Sequence, residues 1–103
     1  MLNRNDDYVV VKDTLVRYKG SNLFVEIPEG VRIIGEEAFA YLEIEKVCMP
    51  DTVIEIKDKA FYNCESLYEI KLSSNLVEIG YSAFEGCRIL PRIDLPEALE
   101  SLG

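Results

Sequence analysis

The chain has 103 residues, 49% of them apolar and 29% charged, with a formal net charge of −8 and no histidine. That is one domain's length, too rich in apolar residues for a disordered segment, and its longest apolar run, Tyr8-Val9-Val10-Val11, is far too short to span a bilayer. The acidic balance argues against a nucleic-acid partner, and the lack of histidine removes the commonest general base, metal ligand and pH switch.

In chain order, the polar stretch Met1 to Asp7 carries no apolar signal-peptide core. It is followed by Tyr8-Val9-Val10-Val11 and Leu15-Val16-Arg17-Tyr18, which flank Lys12-Asp13-Thr14 and precede Lys19-Gly20-Ser21-Asn22. This pattern predicts a β-hairpin and then a turn. We read residues 1–23 as a cap whose hairpin covers a strand edge that would otherwise invite another chain.

From residue 24 onward the chain repeats. Ala-Phe occurs at Ala38-Phe39, Ala60-Phe61 and Ala83-Phe84, and a second landmark at Ile27-Pro28, Met49-Pro50, Leu72-Ser73 and Leu95-Pro96, all spaced by 22 or 23 residues. Three residues after the second landmark stands an aliphatic (Val31, Val53, Leu76, Leu99), and three further on another (Ile34, Ile56, Ile79, Leu102). Gly35, Gly80 and Gly103 follow, with Lys57 in the second unit. Residues 24–103 therefore hold about three and a half units of 22–23 residues, each too small to enclose its own apolar side chains. Stacked units bury a continuous core. Triplets 47–49, 70–72 and 93–95 read as short strands with their outer two residues inward, paired in parallel along one side of the stack. The Val/Leu-x-x-Ile segments line a second side, and segments 36–41, 58–63 and 81–86 read as single helical or 3-10 turns. In each of these, Ala marks a close backbone approach and Phe fills the centre. An elongated stack is expected.

The run Cys64-Glu65-Ser66-Leu67-Tyr68-Glu69-Ile70-Lys71-Leu72-Ser73, continued through Leu76, Ile79, Gly80, Ala83 and Phe84, resembles the pattern of BspA-like leucine-rich repeats. The resemblance extends from Phe24 to Gly103; Lys57, Ser73 and Leu42 depart from it, and one residue is missing between Phe39 and Pro50. It implies a leucine-rich-repeat solenoid, a right-handed coil, that binds rather than catalyses. Such proteins are mostly bacterial surface or secreted proteins.

Candidate chemistry is sparse. Cys64 and Cys87 share a repeat position that holds Leu42 in the first coil, so they read as small core hydrophobes; the rival is a rung-to-rung disulfide. Cys48 falls at an outward strand position, as an exposed thiol. No CxxC or other metal-ligand spacing occurs, and neither a Gly-x-Ser-x-Gly elbow nor a phosphate-binding Gly loop is present. Carboxylate pairs such as Glu36-Glu37 read as solvated surface, because a stack of this kind offers no cleft for paired acid–base chemistry. Neither an enzyme nor a cofactor is expected.

Function then has to lie in the outward rows. On the strand face one row runs Glu26, Cys48, Lys71, Asp94, and beside it Phe24, Lys46, Glu69, Arg92, then Leu23, Glu45, Tyr68, Pro91. Mixed charge with a few aromatics suits a protein partner, weighed against an ordinary surface with scattered apolar residues. The candidate partner-binding residues are Phe24, Glu26, Lys46, Cys48, Tyr68, Glu69, Lys71, Arg92 and Asp94. At Lys57 we expect an ordinary backbone conformation rather than the left-handed one that would favour glycine. Leu95, Leu99 and Leu102 form an apolar terminal rung, so the natural chain is expected to continue or two molecules to associate end to end. Location is cytoplasmic by default, or cell-surface or secreted for a fragment. The reading is a protein-interaction module, with a structural or adhesive segment of a longer surface protein as the alternative.

Overall fold

The computed structural model describes residues 5–91 and 93–103. A 3-10 turn at Asn5–Asp7 leads into a hairpin of β1 (Tyr8–Val11) and β2 (Thr14–Tyr18). Seven short strands follow: β3 (Phe24–Glu26), β4 (Ile33–Ile34), β5 (Lys46–Cys48), β6 (Glu55–Ile56), β7 (Glu69–Lys71), β8 (Glu78–Ile79) and β9 (Ser101–Leu102). They form two sheets, one of six strands in the order β1-β2-β4-β6-β8-β9 and one of three in the order β3-β5-β7. Every pairing after the hairpin is parallel and in step with the repeat, as in Val25↔Val47↔Ile70 and Ile34↔Ile56↔Ile79.

The hairpin is where the sequence places it. Its turn uses Lys12 at φ 59°, and a bulge separates Val9 from Val10. It acts as a surrogate coil: Leu15 pairs with Ile34 in register, and the Tyr18 N–H donates to the Ala38 carbonyl at 3.1 Å, as Phe39 does to Ala60 and Phe61 to Ala83. Tyr18 thereby supplies the first rung of the phenylalanine column. Ring centroids run Tyr8–Tyr18 5.0 Å, Tyr18–Phe39 5.5 Å, Phe39–Phe61 4.9 Å and Phe61–Phe84 5.2 Å, the last two pairs within 8° of parallel. An in-register parallel stack forces equivalent side chains to lie one strand spacing apart, and offset aromatic rings tolerate that spacing well.

The turn segments differ from the helical reading. Each is a pair of β-turns. Ala38 N–H bonds the Gly35 carbonyl and Leu42 N–H the Phe39 carbonyl, both at 3.2 Å, and the third residue of each turn has positive φ: Glu37 at 58° and Tyr41 at 67°. The same positions hold Lys59 (58°) and Asn63 (56°) in the second coil, and Ser82 (56°) and Gly86 (82°) in the third. A left-handed residue cannot continue a right-handed helix, and it is what a type II turn requires. These turns also form a ladder of their own, in which Tyr41 N–H bonds Tyr62 O at 2.8 Å and Asn63 N–H bonds Glu85 O at 2.7 Å.

Two further corrections concern the strands. The second side, expected only as a place where the chain comes round, is the longer sheet. The triplet of the fourth coil, 93–95, forms no strand: among the described residues Ile93, Asp94 and Leu95 have no partner in the sheet. In the lower coils Glu45 N–H donates to Leu23 O and Tyr68 N–H to Glu45 O, at 2.8 and 2.9 Å. The equivalent residue in the fourth coil is Pro91, which has no N–H to give to Tyr68 O.

The core is the expected ladder. Val25, Val47, Ile27, Met49, Val31, Val53, Leu76, Ile34, Ile56 and Ile79 are buried, with the three Ala of Ala-Phe. Gly35 and Gly80 lack positive φ. A Cβ there would lie 2.8 Å from the Leu15 carbonyl oxygen and 2.5 Å from the Asp58 nitrogen respectively, so close backbone approach is what selects glycine. Lys57 keeps an ordinary φ and makes the same ladder bond, to Ile34 O at 2.9 Å. The molecule measures 32 × 30 × 20 Å, a squat block rather than an elongated stack. A few rungs at about 4.8 Å each rise less than one coil is wide.

Candidate interaction surface

The three-stranded sheet turns Val25, Val47 and Ile70 inward, so alternation carries Phe24, Lys46 and Glu69 outward on one side and Glu26, Cys48 and Lys71 on the other. The structure thus assembles seven of the nine predicted residues on one surface, counting Tyr68 just ahead of β7. Asp94 is exposed but lies on no strand, so the fourth rung of its row is not built. Arg92 lies outside the described residues.

On this face the Lys46 Nζ sits 3.4 Å from the Glu69 carboxylate, both side chains about half exposed. A screened pair of that kind adds at most ~1 kcal/mol, but it fixes the register of charge across two rungs. Leu23, Phe24 and Tyr68 are exposed around it. Below, a depression of about 390 Å³ is lined by Glu26, Cys48, Asp51 and Lys71. Cys48 is half-buried among these neighbours rather than a fully exposed thiol.

All three cysteines are free thiols. Cys64 is buried, and its Sγ–H donates to the Phe39 carbonyl at 3.0 Å; Cys87 repeats the bond to Phe61 O at 3.1 Å one rung later. Each thiol adds a second donor to a carbonyl that already accepts a backbone N–H, from Leu42 at Phe39 O and from Cys64 at Phe61 O, which the Leu42 side chain at the same repeat position cannot do. The Cys87 thiol beside it, together with burial, pushes the Cys64 thiol far above its ordinary range, so it stays protonated and unreactive. Among the described residues no group of three His, Cys, Asp or Glu could hold a metal ion, and no helix is long and apolar enough to cross a membrane.

Sequence reasoning missed the turn side. Among the described residues Tyr41 and Tyr81 are the most exposed of the large apolar side chains, at 66% and 68%. Tyr41 meets Tyr62 edge-on at 5.6 Å, and Lys59 Nζ lies 5.3 Å from the Tyr62 ring centre. The signal was present in the alignment of Tyr41 with Asn63 and Gly86, since Asn and Gly at one repeat position mark a left-handed residue whose side chain must leave the core.

With the coils, their register and the buried ladder in place, comparison with known proteins is decisive. The pattern of the BspA type leucine-rich repeat region matches residues 17–103, in six copies. The chain belongs to this family. The match begins inside β2, which agrees with the hairpin standing in for a coil. A leucine-rich repeat protein from Bacteroides capillosus has the same fold with a TM-score of 0.83 at 33% identity, covering 94% of this chain and 88% of that one. The T. pallidum leucine-rich repeat protein superposes with a TM-score of 0.90 at 28% identity, over 98% of this chain but 53% of its own length. A leucine-rich cell surface protein from Faecalibacterium prausnitzii matches at 38% identity with a TM-score of 0.74, over 86% of this chain and 24% of that one. No curated protein matches the chain.

Proposed function

We propose that this BspA-type repeat chain is a non-enzymatic interaction module that presents its three-stranded sheet to a protein partner. The observation that carries this reading is the face itself: exposed Leu23, Phe24 and Tyr68 surround the Lys46–Glu69 pair on a rigid, in-register sheet. Aromatic side chains held among charges are what protein interfaces use as anchors and orienting groups. Rigid presentation lowers the ordering cost of binding.

A second reading, a structural or adhesive segment of a longer surface protein, is favoured by one observation. The chain covers only 24% of a neighbour described as a cell surface protein. The two readings separate experimentally. Affinity capture with the wild type is compared with a strand-face variant, Phe24→Ser with Lys46→Glu, and with a turn-side control, Tyr81→Ser. Loss of partner only in the strand-face variant supports the module; equal capture by all three contradicts it.

A further inference from the structure

The outer edge of β7 is unfinished. Main-chain groups that the lower coils use to hold the next rung are the carbonyls of Leu23 and Glu45 and the N–H groups of Ile27 and Met49, in bonds of 2.8 to 3.0 Å. Their counterparts in the third coil are the Tyr68 carbonyl and the Leu72 N–H, with both groups of Ile70 between them by parallel-strand alternation. None of these bonds the described residues of the fourth coil, 90–91 and 93–96. Instead a groove of about 470 Å³ separates β7 from the fourth coil, lined by Tyr68, Lys71, Leu90, Pro91, Ile93 and Asp94. Ile70 and Leu72 are accordingly only partly buried, whereas Val47 and Met49 one rung below are fully covered.

We infer that this edge accepts an extended peptide strand from another chain, laid parallel to β7, with the order basic–aliphatic–acidic. The chemistry follows from what β7 presents. Glu69 calls for a basic neighbour, as it already has in Lys46 on its other side at 3.4 Å. Ile70 calls for an aliphatic, as it has in Val47, and Lys71 for an acid. An unpaired strand edge supplies main-chain hydrogen bonds, and alternate side chains supply selection. Arg92-Ile93-Asp94 carries the same order in this chain's own sequence, but Pro91 ahead of it lacks the N–H that Glu45 and Tyr68 donate to the preceding coil. A strand in trans has no such gap. The inference concerns the sheet's edge rather than its face, so its failure leaves the strand-face reading standing.

The test uses ¹⁵N-labelled full chain and the capped peptide acetyl-Ser-Val-Arg-Ile-Asp-Leu-Ser-amide. Saturable shifts at the Ile70 and Leu72 amides are expected. The peptide with Arg and Asp exchanged should bind about tenfold more weakly, two cross-strand pairs having turned from attraction to repulsion. Glu69→Lys with Lys71→Glu, both at surface positions, should reverse that preference. No shift at those two amides, or equal binding of both peptides to both proteins, would overturn the inference.

Discussion

One repeat builds two sheets, and they end differently. The Val/Leu-x-x-Ile strands run through all four coils to β9, where Glu100 and Gly103 N–H groups reach Val77 O and Ile79 O at 2.7 and 2.8 Å. The other sheet stops at β7. Apolar patterning is the same in both, since Ile93 and Leu95 repeat Ile70 and Leu72 as faithfully as Leu99 and Leu102 repeat Leu76 and Ile79. Patterning decides which side chains face the core, but pairing needs a donor at each rung. The two outcomes part at Pro91, which lacks the N–H that Glu45 and Tyr68 give to the preceding coil.

The comparison can be broken first at the aromatic column. Phe61 is fully buried between two rings, whereas Phe84 is half-buried beneath the incomplete coil. Phe61→Ala should cost about 3–5 kcal/mol and Phe84→Ala clearly less, read from chemical denaturation midpoints. Equal losses would mean that the fourth coil covers its neighbour as well as the others do. A similar contrast is expected between Met49→Ala, at roughly 2–5 kcal/mol, and Leu72→Ala, at the lower end of that range or beneath it.

Strain at the turns gives a smaller effect of opposite sign. Tyr41 holds φ 67° with its side chain largely in solvent. Tyr41→Asn should raise stability by about 1 kcal/mol, less whatever the edge-on contact with Tyr62 contributes; a fall in the denaturation midpoint would contradict the strain account.

The smallest effect is at acid pH. The Ser74 N–H and Oγ–H both bond the Asp51 carboxylate, at 3.1 and 2.9 Å, and these bonds hold its pKa below the ordinary value. A lowered folded-state pKa gives stability that is present above the unfolded pKa and lost as pH falls through the folded one. Ser74→Ala should therefore lose slightly more stability at neutral pH than below the folded-state pKa, measured as denaturation midpoint against pH. A pH-independent difference would show that the bonds do not bias Asp51's titration.

Much of this was legible in the sequence because a repeat reports each position several times. Four aligned aliphatics identify a buried row where one would not, and Ala-Phe three times identifies the column. What stayed hidden depended on single hydrogen bonds. Pro91 is an unremarkable residue until Tyr68 N–H is seen bonding Glu45 O; only then does its position become the one needing a donor. The turns misread as helical look compact and alanine-bearing in sequence, while their left-handed residues are spread over Glu, Lys, Ser, Tyr and Asn, with one glycine. On the candidate surface, residues of the first three coils fall where the alternation puts them, and the fourth-coil residue Asp94 does not, for the same reason that the strand there is missing.

Amide hydrogen exchange tests the central claim most directly. Ile27 and Met49 N–H groups bond the next coil at 3.0 Å, and Leu72 occupies the same position at the edge of β7. The account predicts strong protection at Ile27 and Met49 and fast exchange at Leu72, with protection at Leu72 rising in Pro91→Ala. Protection of Leu72 equal to that of Met49 in the wild type would mean that the fourth strand is formed, and would contradict it.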